Sequence, residues 1–188
     1  HAICEGYING LNNKADDWPA IKDTLYEKNN LIDLLNMAAG DQKYINEFTG
    51  KTGFFLKDKT SFFEYEVNSI NDSKFFLKDS EKSNGKYNYN GFVPQLLFNY
   101  TVYKSGDDFK KLLNKIFQEK VKIEHSVYFG KLNTYQSEDE GIYHPMVRMT
   151  RFDYLRLAKA IMDDYQNNTC VGKYLKEIHK RRIPKRYN

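Results

Sequence analysis

The stretch Gly53-Phe54-Phe55-Leu56-Lys57-Asp58-Lys59-Thr60-Ser61-Phe62-Phe63-Glu64-Tyr65-Glu66-Val67 decides the expected fold class. Two runs rich in Phe and Tyr flank the polar Lys57–Thr60 segment, which is the pattern of a β-hairpin. Phe75-Phe76-Leu77-Lys78-Asp79 repeats Phe54-Phe55-Leu56-Lys57-Asp58. A match this short does not make a repeat architecture and reads as two strand ends of similar burial. Beyond a polar stretch with an Asn84-Gly85 turn, Leu96–Tyr103 reads as a strand, as does Val121–Leu132.

Outward from this centre the pattern turns helical. Residues 2–12 suit a short opening helix. Asp17 suits an N-cap with Pro19 in the first turn and a helix to about Glu27. Asn30 suits the cap of a helix carrying Leu31, Leu34, Leu35 and Ala38 on one face and closed by Gly40, with a further short helix over Asp41–Phe48. On the C-terminal side, Ser105 with Asp108 opens an amphipathic helix to Lys120. Thr150 with Asp153 opens a long one whose face is Leu155, Ala158, Ile161, Met162 and Tyr165, and Val171–Lys180 forms the last. The expectation is a single α+β domain over residues 1–188. Its antiparallel sheet, in the middle of the chain, packs against N- and C-terminal helices.

The 188 residues suffice for one substantial core, and 15 Tyr with 13 Phe give it much to bury. No stretch approaches the ~20 apolar residues of a membrane span. The net charge of +4 owes much to Lys176, Lys180, Arg181, Arg182, Lys185 and Arg186, which read as a solvated basic tail rather than a nucleic-acid footprint. His1-Ala2 reads as the end of a small-residue cleavage site, the mature end after one, or the remnant of a tag. Cys4 and Cys170 are the two cysteines. In an exported domain they form one disulfide; in a cytosolic one they are two buried thiols. Neither has a second Cys or a His at zinc-ligand spacing, and no metal or cofactor is expected.

Motifs for chemistry are scarce. Gly50-Lys51-Thr52 ends like a phosphate loop, but Ile45 stands where its first glycine belongs. Nucleophile-elbow and zincin motifs are absent. His125 and His144 form a candidate acid–base pair of a nuclease-like site. Glu124 does not orient His125, because neighbours on a strand face opposite ways. Glu64 and Glu66 share a strand face and read as a solvated side. Tyr87, Tyr89, Phe92 and Tyr100, interleaved with Lys86 and Lys104, read as sheet core before they read as a base-stacking surface. The run Glu138-Asp139-Glu140 sits in an expected loop, Ser137–Gly141, and is the candidate contact for a basic partner.

Cys4-Glu5-Gly6-Tyr7-Ile8-Asn9-Gly10-Leu11 resembles the C-x-G-Y-I-x-G motif near the mature N-terminus of the periplasmic resistance-associated, amidase-immunity proteins of type VI secretion systems. Phe152–Tyr165, with Tyr154-Leu155-Arg156-Leu157-Ala158 and Ile161, resembles the late helix of that group. The match covers about 25 residues at the two ends; the section from Gly53 to Met149 has no counterpart there. The resemblance implies a small, disulfide-bonded, mostly helical protein that blocks a cell-wall hydrolase. Gly6 and Gly10, four apart, would also let a helix pack closely on a neighbour while Cys4 ties it to Cys170.

The expected function is therefore a periplasmic or secreted protein-binding, inhibitor or immunity protein whose partner is a toxin or hydrolase, with no catalytic residues of its own. The alternative is a secreted toxin or hydrolase acting on nucleic acid or cell wall.

Overall fold

The structure is a computed structural model that describes residues 1–22, 25–39, 86, 87, 89, 92–134 and 137–184; for 20, 25, 92, 95, 129–134 and 137–146 it describes the backbone alone. The chain is mostly helical, and among the described residues no antiparallel sheet packed against helices is seen, which overturns the α+β expectation. The described helices are α1 (Leu31–Leu35), α2 (Phe92–Ser105), α3 (Phe109–Asn114), α4 (Arg151–Gln166) and α5 (Cys170–Lys180), with 3-10 turns at Pro19–Ile21, Leu25–Lys28 and Gly106–Asp108 and a π-helical turn at Lys115–Lys120. β structure is a two-stranded antiparallel hairpin of β1 (Tyr128–Thr134) and β2 (Ser137–Arg148), with Tyr128 opposite Arg148 and Leu132 opposite Ile142. The expected helix at Asp41–Phe48, the hairpin around Lys57–Thr60, the Phe75–Asp79 strand, the Asn84-Gly85 turn, and Glu64 and Glu66 lie outside the described residues.

The largest local correction is α2, which occupies the run expected as the strand Leu96–Tyr103. Val93, Leu96 and Tyr100 are all buried and recur at i, i+3 and i+7, a helical face. The β-favouring Phe, Tyr, Thr and Val of the run were overridden by that spacing. α2 ends where Gly106 takes φ +50, a left-handed conformation glycine adopts without penalty. Ser105 does not cap the next helix: its hydroxyl donates back to Thr101 O at 2.8 Å. Val121–Leu132 is not a continuous strand either, since 121–127 form a loop and β1 begins at Tyr128.

The core is made by α2 and the chain before it. Ile8, Ala15, Ile21, Tyr26, Leu31, Leu34 and Ala39 meet Val93, Leu96 and Tyr100 in one buried cluster; each large side chain so buried stabilises the fold by about 1.5–3 kcal/mol. Residues 2–12 supply it as successive turns rather than the expected helix. Carbonyls of this segment and of Asn13 just after it serve α1 instead: Leu31 N donates to Asn13 O at 2.8 Å and Ile32 N to Leu11 O at 2.9 Å. With those amides satisfied, Asn30 is left as an N-cap without a side-chain bond. Asp17 likewise caps nothing. It accepts from the Tyr100 hydroxyl at 2.9 Å and pairs with Lys104, while Trp18 packs on the rings of Tyr100 and Tyr103 at 6.0 and 6.1 Å. Tyr100 and Lys104 are thus committed to tying α2 to the first segment, not to a stacking surface.

Candidate functional site

α4 starts where its sequence says it should. Thr150 has extended backbone and its hydroxyl oxygen accepts from Asp153 N at 3.2 Å. Asp153 does more than return the capping bond. Its side chain is wholly buried, and its carboxylate accepts from Glu124 N at 3.0 Å, from Thr150 Oγ1 at 2.7 Å and from Arg156 at 3.0 Å, with His125 Nδ1 at 3.3 Å. The Glu124 amide, followed by these side-chain donors, holds the carboxyl well below its ordinary value, at about 2. Arg156 also pairs with Glu124. His125, expected to be without an orienting partner on a strand, is on a loop and is held by a carboxylate from another element.

The other end of α4 repeats the arrangement. Asp164 is buried and accepts from Lys120 Nζ at 2.5 Å and from Thr169 Oγ1 at 2.6 Å. Burial pushes its pKa up; Lys120 and Thr169 together outweigh this and leave it below the ordinary value. Between the two acids lie half-buried Leu157 and Ala160, so the inward stripe of α4 reads Asp153, Leu157, Ala160, Asp164, at i, i+4, i+7 and i+11. The outward face is the apolar one. Phe152 is 70% exposed, Leu155 66%, Met162 58%, Tyr154 47%, Ile161 46% and Tyr165 40%. The face Leu155, Ala158, Ile161, Met162, Tyr165, expected to meet the core, is the one turned to solvent. Among the described residues this is the main concentration of exposed large hydrophobics.

α5 folds back against α4. Asn167 closes α4, Asn168 takes φ +52, and Thr169 caps α5 by accepting from Gly172 N at 3.1 Å. Asparagine tolerates that left-handed conformation better than most residues. A Cβ on Gly172 would stand 1.8 Å from Asp164 O, so the helices touch backbone to backbone there. Close packing is therefore the task of Gly172, not of Gly6 and Gly10, around which there is open space; Gly6 is required instead for its φ of +82.

Cys4 and Cys170 are disulfide-bonded with Cα atoms 5.9 Å apart, which fixes the start of α5 to the first turns of the chain. Glu138, Asp139 and Glu140 fall in β2 rather than in a loop. His144 lies in β2 opposite Gly130; the side chains of these four lie outside the described set. The residues expected as a basic tail are partly structural: Lys176 sits 5.1 Å over the Tyr165 ring, Arg181 donates to Asn12 Oδ1 at 2.8 Å, and Arg182 donates to His179 O at 2.8 Å. Lys185 and Arg186 lie outside the described residues.

Chemically, an ionised, buried carboxylate behind an exposed imidazole is the orienting half of an acid–base dyad. His125 opens onto a shallow hollow with Ser126, Tyr128, Arg148 and Met149. Among the described residues no group of three His, Cys, Asp or Glu is placed to hold a metal, and no helix is long and apolar enough to cross a membrane. No protein family, curated protein or solved structure matches this chain.

Proposed function

We propose that the protein is an exported binding protein of the inhibitor or immunity type, which neutralises a partner enzyme by covering it with the outward face of α4. The observation that carries this reading is the inversion of α4, with two acids buried and Phe152, Leu155 and Met162 exposed. An apolar face costs solubility unless something covers it, and aromatic and Met side chains are the types enriched where proteins meet. The disulfide favours an oxidising compartment. The likeness of Cys4–Leu11 and Phe152–Tyr165 to the amidase-immunity group points to a cell-wall hydrolase as the partner class. Glu138, Asp139 and Glu140 join the proposal as the contact for a basic rim on that partner.

A photo-crosslinking residue placed at Phe152 or at Met162 tests it in the cells that encode the protein. One discrete protein adduct is expected, lost when Leu155→Ser and Ile161→Ser are added. Those two changes are expected to leave unfolding free energy within about 0.5 kcal/mol, since neither side chain is buried. Crosslinking spread over many proteins or over lipid would sink the reading.

A second reading is favoured by the His125–Asp153 contact: a secreted hydrolase or toxin. Expression in a bacterial host, in the cytoplasm and directed to the periplasm, separates the two. Growth arrest relieved by His125→Ala supports the hydrolase; harmless accumulation in both compartments supports the binding protein.

A further inference from the structure

An apolar cavity of about 370 Å³ lies between the first turns of the chain, α2, α3 and α5. Leu97, Leu113, Ile116, Leu175 and Ile178 line it and are half-buried rather than buried, so it opens to solvent. We propose that this cavity is a binding site for an unbranched aliphatic chain, of the fatty-acid class, that lies beneath α5.

The walls set the ligand class. Of the four polar side chains among them, two are already engaged, Thr101 Oγ1 donating to Leu97 O at 2.9 Å and the Tyr100 hydroxyl to Asp17, and the other two belong to His1 and Tyr174; the rest of the lining is apolar. A peptide, sugar or nucleotide entering here would leave its own polar groups unpaired, at a large desolvation cost. A hydrocarbon loses nothing of that kind. Water gains little either, because an ordered water needs two to four polar partners and these walls offer few. The shape selects a chain over a compact molecule. Lining residues run along α5 from Val171 to Ile178 and from Phe109 at the start of α3 to Ile116. Each series covers about 10 Å of helix at 1.5 Å per residue.

The lid is built to admit such a ligand without losing its place. α5 is held at its first residue by the Cys4–Cys170 disulfide and at its last turn by Asn36 Nδ2 donating to Arg181 O at 3.0 Å and by Arg181 donating to Asn12. Between these anchors its apolar residues Val171, Leu175 and Ile178 are only half-buried over the cavity. No residue of α4 lines the cavity, so the site stands whether or not the outward face of α4 binds a partner.

Titration of the oxidised full chain with dodecanoate, followed by calorimetry, tests the proposal. One dodecanoate per chain is expected, with hexanoate far weaker. Leu113→Phe and Leu175→Phe, each filling part of the cavity, are expected to weaken dodecanoate binding by about tenfold, the worth of roughly two buried methylene groups, with Tm unchanged or raised. Where a variant fails to fold, contacts seen by NMR between the alkyl chain and the Leu97 and Ile178 methyl groups of the unaltered protein decide instead. No binding at millimolar dodecanoate, equal binding by folded Leu113→Phe and Leu175→Phe, or alkyl contacts confined to the α4 face would each overturn it.

Discussion

α4 and α5 are two arms of one helical hairpin and begin in the same way, with a threonine hydroxyl accepting from an amide three residues on. Their faces are opposite in logic. α5 turns Val171, Leu175 and Ile178 toward the body of the protein. α4 turns Asp153 and Asp164 inward and leaves Phe152, Leu155 and Met162 in solvent. The cap is a local device, readable from a few neighbouring residues. Which face is buried is settled by what waits on the other side. For α4 that is the Glu124 amide and His125 at one end and Lys120 at the other, so the two buried ends of the stripe are acidic and hydrogen-bonded rather than apolar.

If α5 is the structural arm and α4 the presenting arm, changes to the two should separate by size. Replacing Cys4 and Cys170 together by Ser releases a closed loop with a sequence separation of 166, and should lower unfolding free energy by about 5 kcal/mol in the chain-entropy account. Urea titration measures this, and hydrogen exchange should show α5 losing protection before α4. Uniform loss along both helices would dissolve the distinction. Gly172→Ala is next. The added methyl meets backbone at Asp164 O, which cannot swing away as a side-chain end would, so a loss of about 3 kcal/mol is expected, at the upper end of overpacking costs. A neutral result would mean that the arms are not in register as described.

The smallest effect is at the head of α4. Thr150→Ala removes a cap and should cost about 1 kcal/mol. Asp153 adds a pH signature. Its folded pKa, about 2, lies below its ordinary value of 3.8, so the folded protein takes up this proton less readily than the unfolded chain. The stabilisation is complete above about pH 4 and is lost as the pH falls through about 2. Asp164, depressed in the same direction, adds to the slope. Acid unfolding of Asp153→Asn should therefore be flatter across that window than that of the unaltered protein. Identical slopes would show that the Glu124 and Thr150 contacts do not persist in solution.

The residues differ in how much of this they declare in sequence. Thr150 with Asp153, and the start of the last helix, are legible because caps depend on near neighbours. The 92–105 helix was obscured by its β-branched and aromatic content, although Val93, Leu96 and Tyr100 carry helical spacing. The Asn30 and Asp17 caps failed because competing partners lie far off in sequence, Leu11 and Asn13 carbonyls for α1 and Tyr100 and Lys104 for Asp17, whereas Ser105 is taken by the turn just before it, through Thr101 O. The inversion of α4 had a visible trace in the 153, 157, 160, 164 spacing, but its meaning depended on Lys120 and Glu124, which no pattern within the helix reveals. The link between His125 and Asp153 was hidden for the same reason.

The Cys4–Cys170 bond makes the backbone between those residues a covalent ring. A protease that nicks it once, for instance at the exposed Gly106 between α2 and α3, releases no fragment, and both sides of the nick stay held against the same core. Lengthening the ring is cheap as well, because closure entropy grows only with the logarithm of loop size. A chain knotted at residues 4 and 170 can therefore exchange or extend what lies between while keeping α5 over the first turns. Its mature shape is guarded by the redox state of its surroundings as much as by the burial of its side chains.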